Sequence, residues 1–376
     1  MKIVMIGARG IAAKYSGIET HLEELCPRLV ERGHEVIVYS RTYFTEKREH
    51  RGVKIVPLPT IRSKHLETLI HSLLGTFHSL QSGADIVHFH AQGPAVFSLL
   101  PRLNRKRTVV TVHGLDWQRD KWGKVAAWCL KRAEQASAVF PNAIIVVSRT
   151  LRDYYAARYA PDKVHYVPNG VTIPNPAYPN LLKNLGLEPN RYILFVGRLT
   201  PEKGCHHLVE AYQNLSTDLK LVIAGAPAYT DSYADELKKS ANGKVLFLGP
   251  VYGDLLAELY SNAHLFVLPS LLEGLSISLL EAMSYGCCVL ASDIPPNVEV
   301  VGEYGLLFPA GDSNSLNIAL RRALREPHVV RELGDQARQY VSLNYDWDSV
   351  TARTEQVYSY ALGNHPLAVV DTFDAA

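Results

Sequence analysis

Cysteine is scarce in this 376-residue sequence, and its five copies are scattered along the chain. No C-x-x-C pair occurs, and no cysteine–histidine spacing suits a zinc site. This usage predicts a protein of a reducing compartment that carries no structural metal. The only D-x-D triplet, Asp346 to Asp348, stands before a helical pattern and is expected to cap that helix instead of binding a divalent ion.

Long apolar runs are also missing. No run approaches the roughly 20 residues that a membrane-spanning helix needs. The sequence starts with MKIVMIGARG, which reads as a strand followed by glycines and lacks the basic and apolar segments of a signal peptide. The sequence therefore predicts a cytoplasmic protein.

Two nucleotide-binding fingerprints are absent as well. The glycines after the first strand do not have the G-x-G-x-x-G spacing of a dinucleotide site, and no P-loop GK[ST] occurs. An NAD enzyme and a simple nucleoside triphosphatase are therefore the weakest interpretations.

Charge is unevenly distributed, although the net charge is only +2. Residues 1–180 carry 25 Lys+Arg against 14 Asp+Glu, a balance of +11. Residues 181–376 carry 14 against 23, a balance of −9. Either the first half faces an anionic partner, or its basic side chains only solvate a surface.

Apolar strand patterns alternate with helical patterns along most of the chain. One series runs from KIVMIG (2–7) to VHYVPNGV (164–171), and a second from RYILFVGRL (191–199) to CVLASD (288–293). Between them, the proline-rich IPNPAYPN (173–180) resists helix and strand and is the best linker candidate. Apolar strands separated by helices are typical of parallel sheets. The pattern predicts an α/β protein with two doubly wound, Rossmann-like domains that face a central cleft.

Ligands of such sheets bind at the carboxyl ends of the strands, so the loops there are the candidate site. The first loop, GARGIAAKYSGIET, has glycines that let a ligand approach the backbone, and Gly17 opens a helix whose free amides suit an anion. The alternative is a long turn before a glycine-started helix. In GRLTPEKG (197–204), Arg198 and Lys203 follow a strand, and two cations beside glycines suit a diphosphate. Either cation alone is more often a solvated loop charge.

Two glutamates stand in the stretch EGLSISLLEAMSYG, residues 273–286. Glu273 precedes the predicted helix, and Glu281 lies in its early turns. A carboxylate is a natural acceptor for sugar or ribose hydroxyls. The alternatives are a loop carboxylate for Glu273 and a capping box for Glu281, formed with Ser278. Backbone amides that can bind phosphate or hydroxyl oxygens follow at Gly274, Leu275 and Ser276.

Together these motifs resemble the retaining family 4 glycosyltransferases. The resemblance rests on GRLTPEKG followed by EGLSISLLEAMSYG, on SGIETH near the start, on TVHGLDWQRDKWG in the middle and on VPNGV before the linker. It covers almost the whole chain, and the two-glutamate motif is specific in combination with the Arg–Lys loop. Within the family, the block TVHGLDWQRDKW most resembles bacterial enzymes of surface-polysaccharide assembly, often rhamnosyl- or mannosyltransferases.

The resemblance implies the GT-B fold, in which two Rossmann-like domains face a cleft. It implies an acceptor-binding domain over residues 1–173 and a nucleotide-sugar-binding domain over 174–346. A C-terminal helix over 347–376 is expected to pack back onto the first domain.

Roles for the two loops of the second domain are also implied by the resemblance. Arg198 and Lys203 match the family's diphosphate-binding pair. Glu273 matches the carboxylate beside the donor sugar or the phosphates, and Glu281 matches the acceptor of ribose hydrogen bonds. The base pocket of the family corresponds to Val251 and the preceding Pro250.

In the first domain, Gly17 corresponds to the family's glycine loop, with Ser16 where many members have a second glycine. A Cβ at that position could crowd the donor phosphate or the acceptor. His113, in VHG, matches the histidine that contacts the transferred sugar. A single histidine at a strand end is more often structural.

The implied activity is transfer of a hexose or deoxyhexose from a nucleotide-diphosphate sugar to a hydroxyl of a glycan or lipid-linked acceptor. In such retaining enzymes the acceptor attacks from the face that the diphosphate leaves, and the leaving phosphate takes the proton. Positioning and electrostatic stabilisation then need no metal and no cofactor. A GT-B sugar-nucleotide epimerase and a non-catalytic nucleotide-sugar-binding protein stay open as alternatives. No nucleic-acid partner is expected.

The basic first half has a candidate partner in this interpretation. IRSKHLETLIHSLLGTFHSL (61–80) is amphipathic, and RLNRKR (102–107) adds positive charge. Both features predict peripheral contact with the anionic inner face of the cell membrane. The alternative is that residues 66–80 form an ordinary packed helix.

Overall fold

The computed structural model describes residues 1–12, 16–63, 66–118, 123–227, 231–241 and 243–364. The chain forms two compact units. Unit 1 comprises Met1–Gly170 and Trp347–Ala376, and unit 2 comprises Val171–Asp346. The proline-rich segment 173–180 has neither helix nor strand, because proline lacks the amide hydrogen that both structures use.

Unit 1 is built on one sheet of eight strands. The strands are β1 (Lys2–Ile6), β2 (Glu35–Arg41), β3 (Glu49–His50), β4 (Val53–Leu58), β5 (Ile86–His90), β6 (Arg107–Val112), β7 (Ala143–Val146) and β8 (Val164–Tyr166). Their order in the sheet is β3-β4-β2-β1-β5-β6-β7-β8, and only the short β3 pairs antiparallel. The strand order reverses between β1 and β5, which is where an open parallel sheet forms its binding crevice.

Helices cover both faces of this sheet. They are α1 (Gly17–Glu31), α2 (Glu67–Leu80), α3 (Gln92–Ala95), α4 (Leu99–Leu103), α5 (Lys124–Val139) and α6 (Arg149–Ala156). The central strands β1, β2, β5, β6 and β7 are buried on both sides, as in β5, where all five residues are inaccessible, and this explains their continuous apolar sequences.

Unit 2 has a fully parallel sheet of six strands. The strands are β9 (Tyr192–Val196), β10 (Lys220–Ala224), β11 (Val245–Gly249), β12 (Leu265–Leu268), β13 (Val289–Ser292) and β14 (Leu306–Phe308). Their order, β11-β10-β9-β12-β13-β14, is that of the Rossmann fold, with the reversal between β9 and β12. The helices are α7 (Cys205–Gln213), α8 (Asp231–Ser240), α9 (Gly253–Asn262), α10 (Ile277–Ser284), α11 (Pro295–Val301), α12 (Ser313–Arg325) and α13 (Pro327–Asn344).

Helix α14 (Trp347–Leu362) follows unit 2 in the chain but belongs to unit 1 and packs against α1. Trp347 and Tyr358 are buried in the same apolar cluster as Leu22 of α1. The sequence predicts a helix over 347–376, but the observed helix ends at Leu362, where Gly363 adopts a left-handed φ of 82°. Residues 365–376 lie outside the described part of the chain.

The prediction of two doubly wound parallel-sheet domains is confirmed by these two sheets. No helix within the described ranges is both long enough and apolar enough to cross a membrane.

Candidate functional site

Two of the predicted site loops follow β9 and β12, the adjacent strands at the reversal point of unit 2. Arg198 and Lys203 lie between β9 and α7, and Glu273 lies between β12 and α10. Because the carboxyl ends of parallel strands meet at one edge of the sheet, this topology brings the two loops together.

Lys203 and Glu273 form an ion pair at this edge. Lys203 Nζ lies 2.5 Å from Glu273 Oε1, and the two side chains are 14% and 9% exposed. Ser270 Oγ donates a hydrogen bond of 2.7 Å to the same carboxylate oxygen. Glu273 therefore places a negative charge directly beside the ammonium group, in a partly desolvated site where the pairing is stronger than in water.

The backbones of the two loops are in direct contact. Leu271 N donates a 2.9 Å hydrogen bond to Glu202 O. Gly204 has a φ of +65°, and a Cβ on it would lie 1.9 Å from Pro269 O. Only glycine fits this close approach, so Gly204 fixes the distance between the lysine loop and the glutamate loop.

Glu281 lies in α10, as the helical pattern predicts, but the capping-box interpretation is wrong. The N-cap residue of α10 is Ser276, which makes no side-chain cap bond, and Ser278 lies inside the helix. Tyr260 Oη of α9 instead donates a 3.0 Å hydrogen bond to Glu281 Oε2. The carboxylate is thus oriented by a buried tyrosine and not by the helix terminus.

The remaining predicted positions of unit 2 also lie at the carboxyl edge of the sheet. Gly274, Leu275 and Ser276 are buried and lead into α10. Pro250 is exposed and Val251 half-buried, and both follow β11, the edge strand two places from β9.

In unit 1, Gly17 is the first residue of α1, as predicted. Ser16 does not cap a backbone amide; its hydroxyl bonds the carboxylate of Glu19. Arg9 N donates to Glu19 Oε1 at 3.0 Å, so the buried Glu19 holds the loop that precedes the helix. Residues 13–15 of the glycine loop lie outside the described part of the chain.

His113 follows β6 and lies against two further histidines. His90 Nδ1, at the end of β5, is 3.2 Å from His113 Nε2. The rings of His21 and His113 meet edge to face at 5.2 Å, and His21 Nδ1 is 3.0 Å from Asn169 Oδ1. The structure thus brings β5, β6, α1 and the VPNGV segment together at the reversal point of unit 1.

Burial keeps three histidines uncharged here: His21, His90 and His88, whose ring lies 4.4 Å from that of His90. Burial lowers the pKa of His21 to about 4 and that of His88 to about 3, and it holds the pKa of His90 well below its usual range. At neutral pH each of these rings therefore carries one donor and one acceptor nitrogen. Although histidines gather here, no group of three or more His, Cys, Asp or Glu in the described ranges is placed to hold a metal ion.

Sequence reasoning missed several residues of the two sites. His21 and Asn169 lie in the motifs SGIETH and VPNGV, and His90 ends a strand at the reversal point, but nothing in the sequence links them to His113. Ser270 follows β12 by two residues, and its proximity to Glu273 could have been suspected from their spacing. Tyr260 gives no sequence signal, because its partner Glu281 belongs to another helix.

Comparison with known families divides the chain in the same way. Residues 15–173 match the model of Glycosyltransferase Family 4, and residues 179–340 match that of Glycosyl transferases group 1. A similar protein is the alpha-maltose-1-phosphate synthase of Mycolicibacterium smegmatis. It is 31% identical over 336 residues, which span 80% of this chain and 86% of that protein.

Two solved structures are similar over nearly the full length. The sucrose-phosphate synthase of Thermosynechococcus elongatus has a TM-score of 0.85 at 22% identity, covering 97% of this chain and 100% of the other. HepE of Anabaena, in complex with UDP-glucose, has a TM-score of 0.80 at 18% identity, covering 96% and 100%. Together with the two sheets, this likeness confirms the predicted GT-B fold of two Rossmann-like domains.

Proposed function

The chain belongs to the family 4 glycosyltransferases, and we propose that it transfers a hexose or deoxyhexose from a nucleotide-diphosphate sugar to a hydroxyl of a glycan or lipid-linked acceptor. The observation that carries the proposal is the Lys203–Glu273 pair at the reversal point of unit 2. This pair lies within the residues that match the group 1 model.

In the proposal, Arg198 and Lys203 bind the donor diphosphate. Lysine supplies a compact charge and arginine a planar fork that suits phosphate oxygens. Glu273 keeps Lys203 extended toward the loop after β12 and accepts a hydrogen bond from a hydroxyl of the donor sugar. Glu281, held by Tyr260, accepts hydrogen bonds from the ribose hydroxyls. The complex of HepE with UDP-glucose, in a protein of the same fold, supports a nucleotide sugar as the ligand.

We infer a retaining, metal-independent reaction. The bond between the sugar C1 and the diphosphate oxygen breaks as the acceptor oxygen bonds C1 from the same face. The acceptor proton passes to an oxygen of the leaving diphosphate, whose developing charge Lys203 and Arg198 stabilise. His113, fixed by His90, contacts the transferred sugar and orients C1.

Unit 1 is assigned the acceptor, which we take to be a growing cell-surface polysaccharide or its lipid-linked precursor. This assignment rests on the similarity of the TVHGLDWQRDKW block, of which residues 119–122 lie outside the described part of the chain. All five cysteines fall within the described ranges and are free thiols, which supports a cytoplasmic location.

Unit 1 also carries a surface suited to an anionic membrane. Helix α2 buries small and polar residues, including His71, Ser72 and Thr76, and it turns Leu69 and Phe77 outward. Phe77 is 54% exposed. The predicted amphipathic helix is therefore present, with its apolar side facing solvent instead of the sheet.

Positive charge adjoins this apolar side. Helix α4 packs against α2, and its Leu103 is 72% exposed between the exposed cations Arg102 and Arg105. Exposed apolar side chains flanked by cations are the combination that anionic lipid headgroups attract. We propose that α2 and α4 hold the enzyme at the inner face of the cell membrane, near lipid-linked acceptors.

The decisive experiment is a thermal-shift and turnover panel with GDP-, UDP-, dTDP- and ADP-sugars, each with and without EDTA. A ligand at about 100 times its Kd adds about 2.7 kcal/mol to the free energy of unfolding. We expect stabilisation by one nucleotide family, unchanged by EDTA, with slow donor hydrolysis. Arg198→Ala should abolish the stabilisation.

Other outcomes of the panel contradict the proposal. Epimerised nucleotide sugar without acceptor would reveal an epimerase. Stabilisation without any turnover, with acceptor glycans present, would indicate a binding protein. A loss of the response in EDTA would refute metal independence.

A further inference from the structure

The segment after β6, residues 113–118, is attached to the rest of unit 1 by a buried carboxylate that the proposed mechanism does not use. Glu134 of α5 is 2% exposed. Its Oε2 accepts a 2.6 Å hydrogen bond from Trp117 Nε1. A charged group in such a position is stable only when donors satisfy it.

Two tyrosines complete the donor set of Glu134. Tyr154 Oη and Tyr159 Oη donate to Oε1 at 3.0 and 2.9 Å. Burial, followed by the neighbouring carboxylate, raises the pKa of both phenols. Both tyrosines therefore stay protonated donors, and Oε2 is left for the indole of Trp117.

A second attachment acts on the backbone of the same segment. Asp116 N donates a 3.1 Å hydrogen bond to Oε1 of Gln92, a fully buried residue at the start of α3. Gln92 is oriented in turn, because its Nε2 donates to Tyr155 Oη at 2.8 Å. Hydrogen bonds thus hold two successive residues of the segment, Asp116 through its backbone amide and Trp117 through its side chain.

His113 lies at the other end of this segment. It is fixed by His90 on one side, while the chain four residues later is fixed by Glu134. A loop held at both ends presents its intervening atoms with little conformational freedom, which is what orientation of a reacting group requires.

We propose that Glu134 is a positioning residue for sugar transfer, acting through Trp117 on the segment that carries His113. This inference rests on the proposed function, since it gives the segment its role beside the transferred sugar. In this proposal Glu134 acts through Trp117 and not by contact with a substrate.

The test compares Trp117→Phe with Tyr159→Phe. Each variant removes one hydrogen bond to the same carboxylate, but only Trp117→Phe releases the segment. We expect Trp117→Phe to lower kcat about ten-fold while the Kd of the donor stays unchanged. Tyr159→Phe should lower the free energy of unfolding by as much as Trp117→Phe does, but its kcat should equal that of the wild type.

A second readout needs no activity. Hydrogen exchange of the amides of residues 113–118 should become about ten-fold faster in Trp117→Phe and stay unchanged in Tyr159→Phe. If the wild type transfers no sugar, the proposed function fails. The exchange rates still show whether Glu134 holds the segment through Trp117. Equal exchange in both variants, or faster exchange in Trp117→Phe with an unchanged kcat, would overturn the inference.

Discussion

Tyr260 Oη donates a 3.0 Å hydrogen bond to Glu281 Oε2 from a side chain that is 1% exposed. Glu281→Ala would leave this buried hydroxyl without its acceptor. We expect the variant to fold but to lose about 1–3 kcal/mol of unfolding free energy. Nucleotide-sugar affinity should also be lost, because the ribose acceptor is gone. Urea denaturation and donor titration measure the two effects.

The double variant Glu281→Ala/Tyr260→Phe separates the two effects. It removes the stranded hydroxyl, so it should regain most of the stability while donor affinity stays lost. Donor binding that returns together with stability would show that Glu281 acts only in folding.

The Lys203–Glu273 pair predicts opposite effects of two substitutions on nucleoside diphosphate binding. Lys203→Met removes a phosphate ligand and should weaken binding about ten-fold or more. Glu273→Gln removes the negative charge beside the lysine and should tighten binding of the diphosphate product while slowing transfer. Isothermal titration of the nucleoside diphosphate measures both affinities.

The matched control is Lys244→Met, since Lys244 also pairs with a carboxylate, Asp218, but on an exposed surface. It should leave diphosphate affinity unchanged. Equal affinities in Lys203→Met and the wild type would remove Lys203 from the donor site.

The buried histidines of unit 1 predict a loss of stability in acid. Burial lowers the pKa of His21 to about 4 and of His88 to about 3, against about 6.5 in the unfolded chain. Below about pH 6.5 these histidines bind protons in the unfolded chain but stay neutral in the folded chain. The free energy of unfolding therefore keeps its full value above about pH 6.5. It falls toward pH 4 by up to about 1.4 kcal/mol per pH unit for each histidine.

Urea denaturation from pH 7.5 to 4.5 measures this slope. His88→Gln should reduce the slope by about 1.4 kcal/mol per pH unit. His328→Gln, at an exposed position of unit 2, should not change it. If the free energy of unfolding of His88→Gln falls with pH as steeply as that of the wild type, His88 is not neutral in the folded protein.

The exposed apolar side of α2 predicts binding to anionic vesicles. Phe77→Glu should reduce co-sedimentation with phosphatidylglycerol vesicles about ten-fold, since it replaces an apolar contact with a repelled charge. Leu343→Glu changes an exposed leucine of unit 2 and serves as the control. Equal binding of the wild type to anionic and zwitterionic vesicles would refute the membrane surface.

Most of the fold could be predicted because its signals are local. Continuous apolar strands such as KIVMI and LFVL, separated by helical patterns, indicate parallel sheets before any contact is known. The direction in which α2 faces could not be predicted, because an amphipathic pattern does not say which side the sheet will cover. The predicted end of α14 at residue 376 is wrong, because Gly363 in its left-handed conformation ends the helix at Leu362.

The candidate site was predictable only residue by residue. Glu273 and Lys203 could each be placed after a strand, but their pairing depends on β9 and β12 being neighbours, which is a property of the whole sheet. The same holds for Tyr260 with Glu281, since the two residues belong to different helices. The capping box failed because Ser278 lies within the helix, and α10 begins one residue before it.

Helix α14 follows the whole of unit 2 in the chain, yet its Trp347 and Tyr358 complete a core whose first strand, β1, begins at residue 2. Unit 2 has its entire sequence in one stretch, so it can fold as soon as Asp346 has left the ribosome. Until α14 has been synthesised, the apolar face of unit 1 that this helix covers stays exposed. A truncated chain or a stalled ribosome would therefore expose unit 1, and not unit 2, to chaperones and proteases.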